Sequence, residues 1–519
     1  MPEVRRAFPL QRAVPALRGR SYDLLVIGGG IYGAWTACDA AARGLSVALV
    51  EARDWAAGTS SASSKLIHGG LRYLENFEFG LVRESLHERR TLSRIAPHLV
   101  RPLRFAMPVS RGDRAGRLKL AAGLTLYDLL AGRGQPVARH GRMSRVAMRT
   151  RFPFMAAEAL LGGFDYGDCQ EDDARLTLEV VAAAQARGAD CANRVAAETL
   201  LEENGRIHGA RLHDTETGDR FELRAQAVVV AAGPWSRALL GAAAPPMQLV
   251  KGVHLVMPAI PDCRHAFLLT APQDGRVMFI IPWYGRTLVG TTEAEVADPQ
   301  QAQITTVEQQ YLLEAAVARL PGLGWRASDI MACYAGVRTL PAADTKSLSA
   351  LSREFKLLNP KPGLWLPLGG KFTTSRNDAQ GIVDQLARAL GRSVGDCSTA
   401  QRVLPGAPGA PFLSWLNEQR TTLQTRLADL ATDQIDSLLY RYGRRAADLA
   451  ALIESKPALA RRIHPELPFI DAEIALARRD EMARDLDDVL RRRIPLDLLA
   501  AKGDWRSRLE KVFEQSAPV

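Results

Sequence analysis

YDLLVIGGGIYGAWTACDAAARGLSVALVE, residues 22–51, is the stretch that decides the fold. Its first six residues are mostly apolar, as in a buried parallel strand, and the cluster Gly28-x-Gly30-x-x-Gly33 follows at once. An alanine-rich segment then predicts a helix, a glycine ends it, and a second apolar strand leads to Glu51. Such glycines let the backbone approach a pyrophosphate at a helix N-terminus, and the carboxylate can accept hydrogen bonds from a ribose. The stretch therefore predicts a βαβ unit that binds a dinucleotide, in preference to a structural turn.

The motif alone does not distinguish NAD from FAD, because both cofactors present the same ADP half to this fold. Its place at the start of a long chain slightly favours FAD, since such chains often return later to complete a flavin site. Further motifs are needed to decide.

Composition bounds the class of protein. The chain has 519 residues, of which 47% are hydrophobic, so it should fold as two or three domains with large cores. We find neither a transmembrane helix nor a signal peptide in the sequence. Six cysteines are scattered without a CxxC pair, which predicts no disulfide framework and no metal site, and favours a reduced, cytoplasmic setting.

The formal net charge of +10 has a local origin. Residues 101–151 carry twelve Arg and Lys against only Asp113 and Asp128. A basic segment of this kind favours an anionic partner.

A second run rich in Gly, Ser and Thr contains GTSS at 58–61 and SKLIHGGLRYLE at 64–75. Small hydroxyl side chains and free backbone N–H groups suit phosphates and a flavin ring. Together with GLTLYDLL at 123–130 and IDAEIALARRDEMARDLDDVLRRRIPLDLL at 470–499, this run resembles the FAD-dependent, quinone-linked glycerol-3-phosphate dehydrogenases. The resemblance covers roughly residues 20–515, with its motifs in the family's order. Without it, residues 58–75 would suggest a turn and a helix start near Gly69.

Patterning places the remaining elements. Turn signals separate strands at 194–201, 206–214 and 220–223, which predict a small meander, and a further apolar strand from Ala227 breaks at Gly233. The segment 335–341 is predicted to return to the core. Residues 364–368 predict a strand that runs into Gly-Gly and a Thr-rich helix start, a second anion-binding helix N-terminus. Helical periodicity follows at 434–453 and 471–493.

The resulting fold class is an α/β two-domain flavoprotein: a Rossmann-like FAD domain plus an antiparallel-sheet substrate domain, with a C-terminal all-α domain. The FAD-binding domain is predicted to be discontinuous, over 21–105, 165–250 and 331–400. The substrate domain takes 106–164 and 251–330, and the helical domain takes 401–519.

The resemblance also implies roles for particular residues. The catalytic candidates are His254, Arg338 and Lys371, with His254 the preferred proton acceptor because a neutral imidazole works near pH 7. The substrate-binding candidates are Arg72, Tyr73, Arg353 and Thr374, where arginine forks suit a phosphate. The cofactor-binding candidates are Gly28, Gly30, Gly33, Glu51, Thr59, Ser60, Ser61, Lys65, His68, Gly69, Gly233, Gly370, Lys371 and Thr373. Two departures from the family pattern, Thr339 in place of proline and Glu293 in place of aspartate, lie near this set.

The implied activity is oxidation of sn-glycerol 3-phosphate to dihydroxyacetone phosphate by hydride transfer to FAD, with electrons passed to a membrane quinone. The alternatives are an oxidase that uses oxygen, an amine oxidase of the same fold and, more remotely, a flavoprotein that binds nucleic acid. The basic segment lacks interleaved aromatic residues, which argues against nucleic acid.

The expected partners are glycerol 3-phosphate, a membrane quinone, an anionic membrane surface and a second copy of the chain in a homodimer. The expected location is cytoplasmic, peripheral on the inner face of the cell membrane. The apolar helix at 118–130 best suits a docking face, together with the basic residues around it: Arg101, Arg104, Arg111, Arg114, Arg117 and Lys119. The same helix could instead pack on the protein, and the C-terminal helices could form the docking face.

Overall fold

Residues 7–113, 115–342, 353–501 and 503–517 are described in the computed structural model of the chain. Among them, two large sheets and a helical C-terminal region account for the architecture.

The first sheet holds eight of the described strands, in the order β17-β18-β10-β1-β2-β7 with β8 and β9 attached beyond β10. Its strands are β1 (Tyr22–Ile27), β2 (Val47–Val50), β7 (Asp190–Ala192), β8 (Val195–Glu203), β9 (Arg206–Asp214), β10 (Arg220–Val230), β17 (Lys356–Lys361) and β18 (Leu364–Leu368). Five of these strands, β18, β10, β1, β2 and β7, run parallel. This confirms the predicted Rossmann-like unit around β1.

The two faces of this sheet are both buried, which explains the continuous apolar character of β1 and β2. One face packs against α2 (Ile31–Ala42), α6 (Asp173–Ala186) and α9 (Ser375–Ala389). The other packs against α1 (Val14–Gly19) and against the antiparallel part of the sheet, formed by β8, β9 and the start of β10, which folds back over it.

The second sheet holds ten of the described strands and is largely antiparallel. Its strands are β3 (Leu66–Ile67), β4 (Val100–Ser110), β5 (Gly141–Met143), β6 (Leu160–Glu171), β11 (Met247–Pro258), β12 (Ala266–Thr270), β13 (Val277–Trp283), β14 (Arg286–Gly290), β15 (Ala294–Val296) and β16 (Ala332–Pro341). The helices α3 (Phe79–Ile95), α4 (Arg117–Ala131), α5 (Arg145–Arg151) and α8 (Thr306–Arg319) surround it, and α7 (Ser236–Leu240) precedes β11.

The C-terminal region is helical, as predicted, but its helices are shorter than the sequence pattern suggested. They are α10 (Phe412–Arg426), α11 (Thr432–Tyr442), α12 (Ala446–Ser455), α13 (Asp471–Asp480), α14 (Leu486–Asp488), α15 (Leu496–Leu499) and α16 (Trp505–Glu514). The predicted helix 434–453 is interrupted at Gly443, and the predicted helix 471–493 at Met482, because both residues take a positive φ that an α-helix excludes.

Several predicted boundaries need correction. The strands predicted at 220–223 and from Ala227 are one strand, β10, which passes from the antiparallel meander into the parallel sheet. The segment 335–341 does not return to the first sheet, because β16 pairs with β11 along the second. The helix start near Gly69 is instead a single short turn over Leu71–Leu74.

The predicted domain limits at 105 and 165 cut through β4 and β6. These two strands pair with each other along their whole length, from Val100 opposite Glu171 to Ser110 opposite Leu160, so both belong to the second sheet. Likewise the limit at 250 falls inside β11. The strand pairing therefore moves these limits to the loops before β4, after β6 and before β11.

Candidate active site

A cleft of about 1030 Å³ runs between the two sheets, from the glycine turn after β1 to the helix α4. Its size is that of a site for a large ligand. Most of the predicted site residues line it: Gly28, Gly30, Glu51, Thr59, Ser60, His68, Arg72, Tyr73, Gly233, His254, Arg338, Arg353, Gly370, Lys371 and Thr373.

At one end of the cleft lies the turn between β1 and α2. A Cβ atom at Gly33 would stand 1.9 Å from the carbonyl oxygen of Gly28, so only glycine lets the helix start this close to the strand. Glu51 accepts hydrogen bonds from the backbone N–H of Gly29 at 2.7 Å and of Arg53 at 2.8 Å. Burial raises the pKa of Glu51, although these two bonds oppose the shift. The carboxylate is thus fixed beside the helix N-terminus, where the ADP half of FAD would be held.

The middle of the cleft is built by the Gly-Gly turn after β18. Gly370 has a φ of +76°, and a Cβ atom there would meet the Tyr32 hydroxyl at 1.7 Å. That hydroxyl donates to Asp378 at 2.6 Å, and burial raises the pKa of Asp378 to about 7. Glycine at 370 thus lets the turn pack directly on Tyr32, and residues 369–373 form a glycine-containing cradle along the cleft. The cradle fits a bound flavin, with Gly370, Lys371 and Thr373 in the wall.

Four arginines from four separate segments converge at the far end of the cleft around one carboxylate, that of Glu293. Arg353 donates to Glu293 at 2.7 Å, Arg338 lies at 3.5 Å, and Arg72 and Arg276 each approach to 3.9 Å. Burial and the neighbouring Arg353 lower the pKa of Arg338 to about 9. We call these five side chains the arginine cluster. Arg276 also lies 3.6 Å from Asp274, but two carboxylates cannot neutralise four guanidinium groups, so the cluster can take up a further anion.

Tyr73 and Lys371 extend this positive end. The Arg353 guanidinium donates to the Tyr73 hydroxyl at 3.3 Å, and the Lys371 ammonium lies 3.9 Å from the centre of the Tyr73 ring. Burial alone would raise the pKa of Tyr73, but Arg353, Lys371 and Arg72 together lower it. Lys371 also donates to Ser85 at 2.9 Å, and burial lowers its pKa.

His254 lies on β11 beside the arginine cluster. Its ring stacks on Tyr334 with centroids 4.8 Å apart, and its Nε2 lies 2.9 Å from the Ser64 hydroxyl. Burial, Arg338 and Lys65 lower the pKa of His254 to about 3, so the imidazole is neutral at pH 7. Its Nδ1 is buried and has no hydrogen-bond partner among the described residues.

Five predicted residues do not line the cleft: Gly33, Ser61, Lys65, Gly69 and Thr374. The Lys65 ammonium is 2.7 Å from Asp173 and donates to the Ser61 carbonyl, so it braces the serine loop from behind. Thr374 donates to Asp378 at 2.9 Å. The side chains of Lys65 and Thr374 therefore support the wall of the cleft from behind. Thr374 does not line the cleft, so the geometry argues against a direct contact between Thr374 and a substrate.

Sequence reasoning missed two members of the arginine cluster. Arg276 follows a simple Asp-Gly turn before β13, and nothing in that pattern marks a ligand-binding side chain. Glu293 stood out only as a departure from the family pattern. A third missed residue, Ser64, lies inside a quoted motif and contacts His254.

Comparison with known proteins supports a flavin site in this cleft. Residues 23–372 match the FAD dependent oxidoreductase family, and residues 397–516 match the C-terminal domain of alpha-glycerophosphate oxidase. The chain is 37% identical to the glycerol-3-phosphate dehydrogenase of Synechocystis, over 94% of this chain and 91% of that one. It is also 37% identical to the enzyme of the same name from Pseudomonas aeruginosa, over 96% of each.

Solved structures agree. The glycerol-3-phosphate dehydrogenase of Bacillus halodurans, complexed with FAD, superimposes with a TM-score of 0.76 at 27% identity, over 97% of this chain and 96% of that one. Glycine oxidase from Geobacillus kaustophilus, at 19% identity and a TM-score of 0.55, covers 74% of this chain and 98% of its own, and shares the fold. FAD is therefore the cofactor of this chain, which belongs to the family of FAD-dependent glycerol-3-phosphate dehydrogenases.

Proposed function

We propose that this chain oxidises sn-glycerol 3-phosphate to dihydroxyacetone phosphate and passes the two electrons by way of FAD to a membrane quinone. The observation that carries the proposal is the arginine cluster beside a neutral histidine at one end of the FAD cleft. A phosphate ester needs fixed cations, and oxidation of its hydroxyl needs a neutral base within reach.

The arginine cluster would bind the phosphate. Arg353 and Arg72 offer planar forks that can each contact two phosphate oxygens, and the Tyr73 hydroxyl lies within 3.3 Å of Arg353 to complete the pocket. Bound in this way, the ester is held by its phosphate, and its carbon chain can point along the cleft.

The reacting hydroxyl would lie near His254, Arg338 and Lys371. The neutral imidazole of His254 would accept the hydroxyl proton, and the Ser64 hydroxyl, 2.9 Å from Nε2, would hold the ring in place. Arg338 and Lys371 would stabilise the negative charge that develops on the oxygen. When bound, FAD supplies the hydride acceptor.

The low pKa of His254 refines the role that we predicted for it. Burial and the charges of Arg338 and Lys65 weaken the imidazole as a base in the substrate-free cleft. A bound phosphate dianion would offset those cations and raise its pKa toward the ordinary value. Substrate binding would therefore itself strengthen the base.

Reduction under nitrogen tests this function. Titration of the holoenzyme with glycerol 3-phosphate should bleach the flavin absorbance, whereas glycerol, glycine or RNA should not. Bleaching by an amine and none by glycerol 3-phosphate would overturn the proposal. Oxygen uptake without an added acceptor would instead identify an oxidase.

A docking surface at the mouth of the cleft supports the quinone part of the proposal. Within the described ranges no helix is long and apolar enough to span a membrane. The helix α4 contacts the protein through Leu124, Tyr127 and Ala131 and leaves Leu118 and Leu129 86% and 70% exposed. The buried face fits the reading in which this helix packs on the protein, and the exposed face supports the proposed docking.

Other exposed groups adjoin that face. Phe77 is 77% exposed and, like Leu120 and Leu126, lines the mouth of the cleft. Arg111 and Arg117 are exposed nearby, while Arg114, which we also assigned to this surface, lies outside the described residues. Apolar side chains among basic ones suit a lipid surface rich in anionic headgroups.

Vesicle sedimentation tests the docking surface. The double variant Arg111→Glu and Arg117→Glu should release the enzyme from anionic vesicles, because each basic group near such a surface contributes about 1 kcal/mol. Activity with a soluble dye should stay intact. The matched control reverses Arg211 and Arg220, two exposed arginines on the strands β9 and β10. Equal binding by both double variants would remove α4 from the docking face.

The proposed assembly is a homodimer, supported by the resemblance alone. Sedimentation equilibrium of the holoenzyme tests it.

A further inference from the structure

Glu293 occupies an unusual place for a carboxylate. Its side chain is 3% exposed and lies at the centre of the end of the cleft that would receive the phosphate. One oxygen, Oε1, faces Arg353, Arg338 and Arg72, and the other, Oε2, lies 3.9 Å from Arg276. Oε2 has no hydrogen-bond partner among the described residues.

We propose that Glu293 is an internal counter-ion of the arginine cluster, which the phosphate of the substrate displaces from its arginine contacts. The inference rests on the proposed function, since it takes the cluster to be the phosphate site. It makes Glu293 a specificity-determining residue, because an incoming anion must compete with a carboxylate that is already in place.

The need for a counter-ion follows from the repulsion within the cluster. Arg72 comes from the turn after β3, Arg276 from the turn before β13, Arg338 from β16 and Arg353 from the segment before β17. These four segments are separate in the chain, and four guanidinium groups in a partly buried space repel one another. A carboxylate at the centre lets the arginines stay assembled before the substrate arrives.

The contacts also show why a phosphate can win the competition. Three of the arginines face the same carboxylate oxygen of Glu293, and only Arg353 lies less than 3 Å from it. The second oxygen accepts no hydrogen bond from the described residues. A phosphate dianion has three acceptor oxygens and twice the charge, so it can satisfy several forks at once. A singly charged carboxylate ligand lacks that advantage, and Glu293 should therefore select for dianionic esters.

Glu293 could alternatively accept a hydrogen bond from a hydroxyl group of the substrate. The two roles make different predictions for a ligand without hydroxyl-bearing carbons: removing the Glu293 charge tightens its binding in the first role and leaves it unchanged in the second. Inorganic phosphate is such a probe, because it can compete for the arginines but has no glycerol part.

The experiment measures the dissociation constant of inorganic phosphate for the holoenzyme, from the perturbation of the flavin absorbance, without substrate. Glu293→Gln removes the competing charge and should tighten phosphate binding by about tenfold to a hundredfold, the range of one charge-assisted hydrogen bond. The KM for glycerol 3-phosphate should also fall. Glu295→Gln, at an exposed position two residues further on, is the matched control and should change neither constant.

Unchanged or weaker phosphate binding in Glu293→Gln would overturn the inference. Unchanged phosphate binding combined with a raised KM would assign the carboxylate to the substrate hydroxyl instead. If Glu293→Gln does not retain FAD, Glu293→Asp decides: the shorter side chain cannot keep the 2.7 Å contact with Arg353, so phosphate should bind severalfold more tightly, and no gain would refute the proposal.

The proposed function can fail separately. A holoenzyme that binds phosphate as described but is not reduced by glycerol 3-phosphate would refute the substrate and leave the counter-ion in place.

Discussion

Arg72→Lys tests whether the arginine cluster binds a phosphate through its forks rather than through charge alone. The side chain of Arg72 is 26% exposed, and its closest approach to Glu293 is 3.9 Å, longer than a hydrogen bond, so its fork is not committed to that carboxylate. Lysine keeps the charge but offers no planar fork, so one charge-assisted hydrogen bond to the phosphate is lost. Such a bond contributes about 1.5–3 kcal/mol, and partial exposure favours the lower part of this range. We expect the KM for glycerol 3-phosphate to rise about tenfold to thirtyfold.

Steady-state kinetics with a soluble dye acceptor measures the effect. Because the phosphate takes no part in the bond changes at the oxidised carbon, loss of one phosphate contact should raise KM and leave kcat nearly unchanged. The inhibition constant of inorganic phosphate should rise by the same factor. Arg83→Lys, at an exposed position on α3, is the control and should leave both constants unchanged. A KM within twofold of the wild-type value would place Arg72 outside the phosphate site.

Three further predictions concern the cofactor, stability and pH. Gly33→Ala should lose FAD, because its Cβ atom would meet a backbone oxygen at 1.9 Å; a normal ratio of flavin to protein absorbance would contradict this. Arg493→Met leaves the buried Asp54 with one partner fewer and should cost about 3 kcal/mol, whereas Arg426→Met, which removes an exposed ion pair with Glu454, should cost little; equal midpoints of thermal unfolding for the two variants would refute the difference. Since the pKa of His254 is lowered to about 3 by burial, it stays neutral above about pH 4, and kcat/KM should show no His254-dependent acid limb near pH 6.5; such a limb, abolished in His254→Asn, would refute it.

Local pattern was sufficient wherever neighbouring residues decide the structure. The βαβ unit over 22–51 could be predicted because its strands, glycine turn and helix follow one another in the chain, and each has a recognisable pattern of apolar residues or glycines. The second glycine turn, before α9, could be predicted for the same reason. The family resemblance carried by the motif at 58–75, and not local pattern, led to Arg72, Tyr73 and His68, all of which line the cleft.

Pattern failed where distant segments meet. Nothing adjacent to Arg276 or Glu293 in the chain indicates that they face one another, since their contact depends on how β13, β14 and β15 pair in the second sheet. Domain limits failed for the same reason: the partner of β4 is β6, which lies fifty residues further on, and no local signal marks that pairing. The helix breaks at Gly443 and Met482 were missed because apolar periodicity continues across them.

The C-terminal helical region supports the site from behind its wall and is not a separate attachment. Asp54, three residues after Glu51, is completely buried and forms ion pairs with Arg492 and Arg493 from the segment after α14. The adjacent Arg491 lies 5.8 Å from the ring of Tyr334, which stacks on His254. One short segment therefore supports the loop at the ADP end of the cleft and the aromatic ring behind the proposed base. Removing one partner of a buried ion pair leaves an uncompensated buried charge, which strongly destabilises the fold. Loss of this segment would therefore loosen both ends of the cleft together.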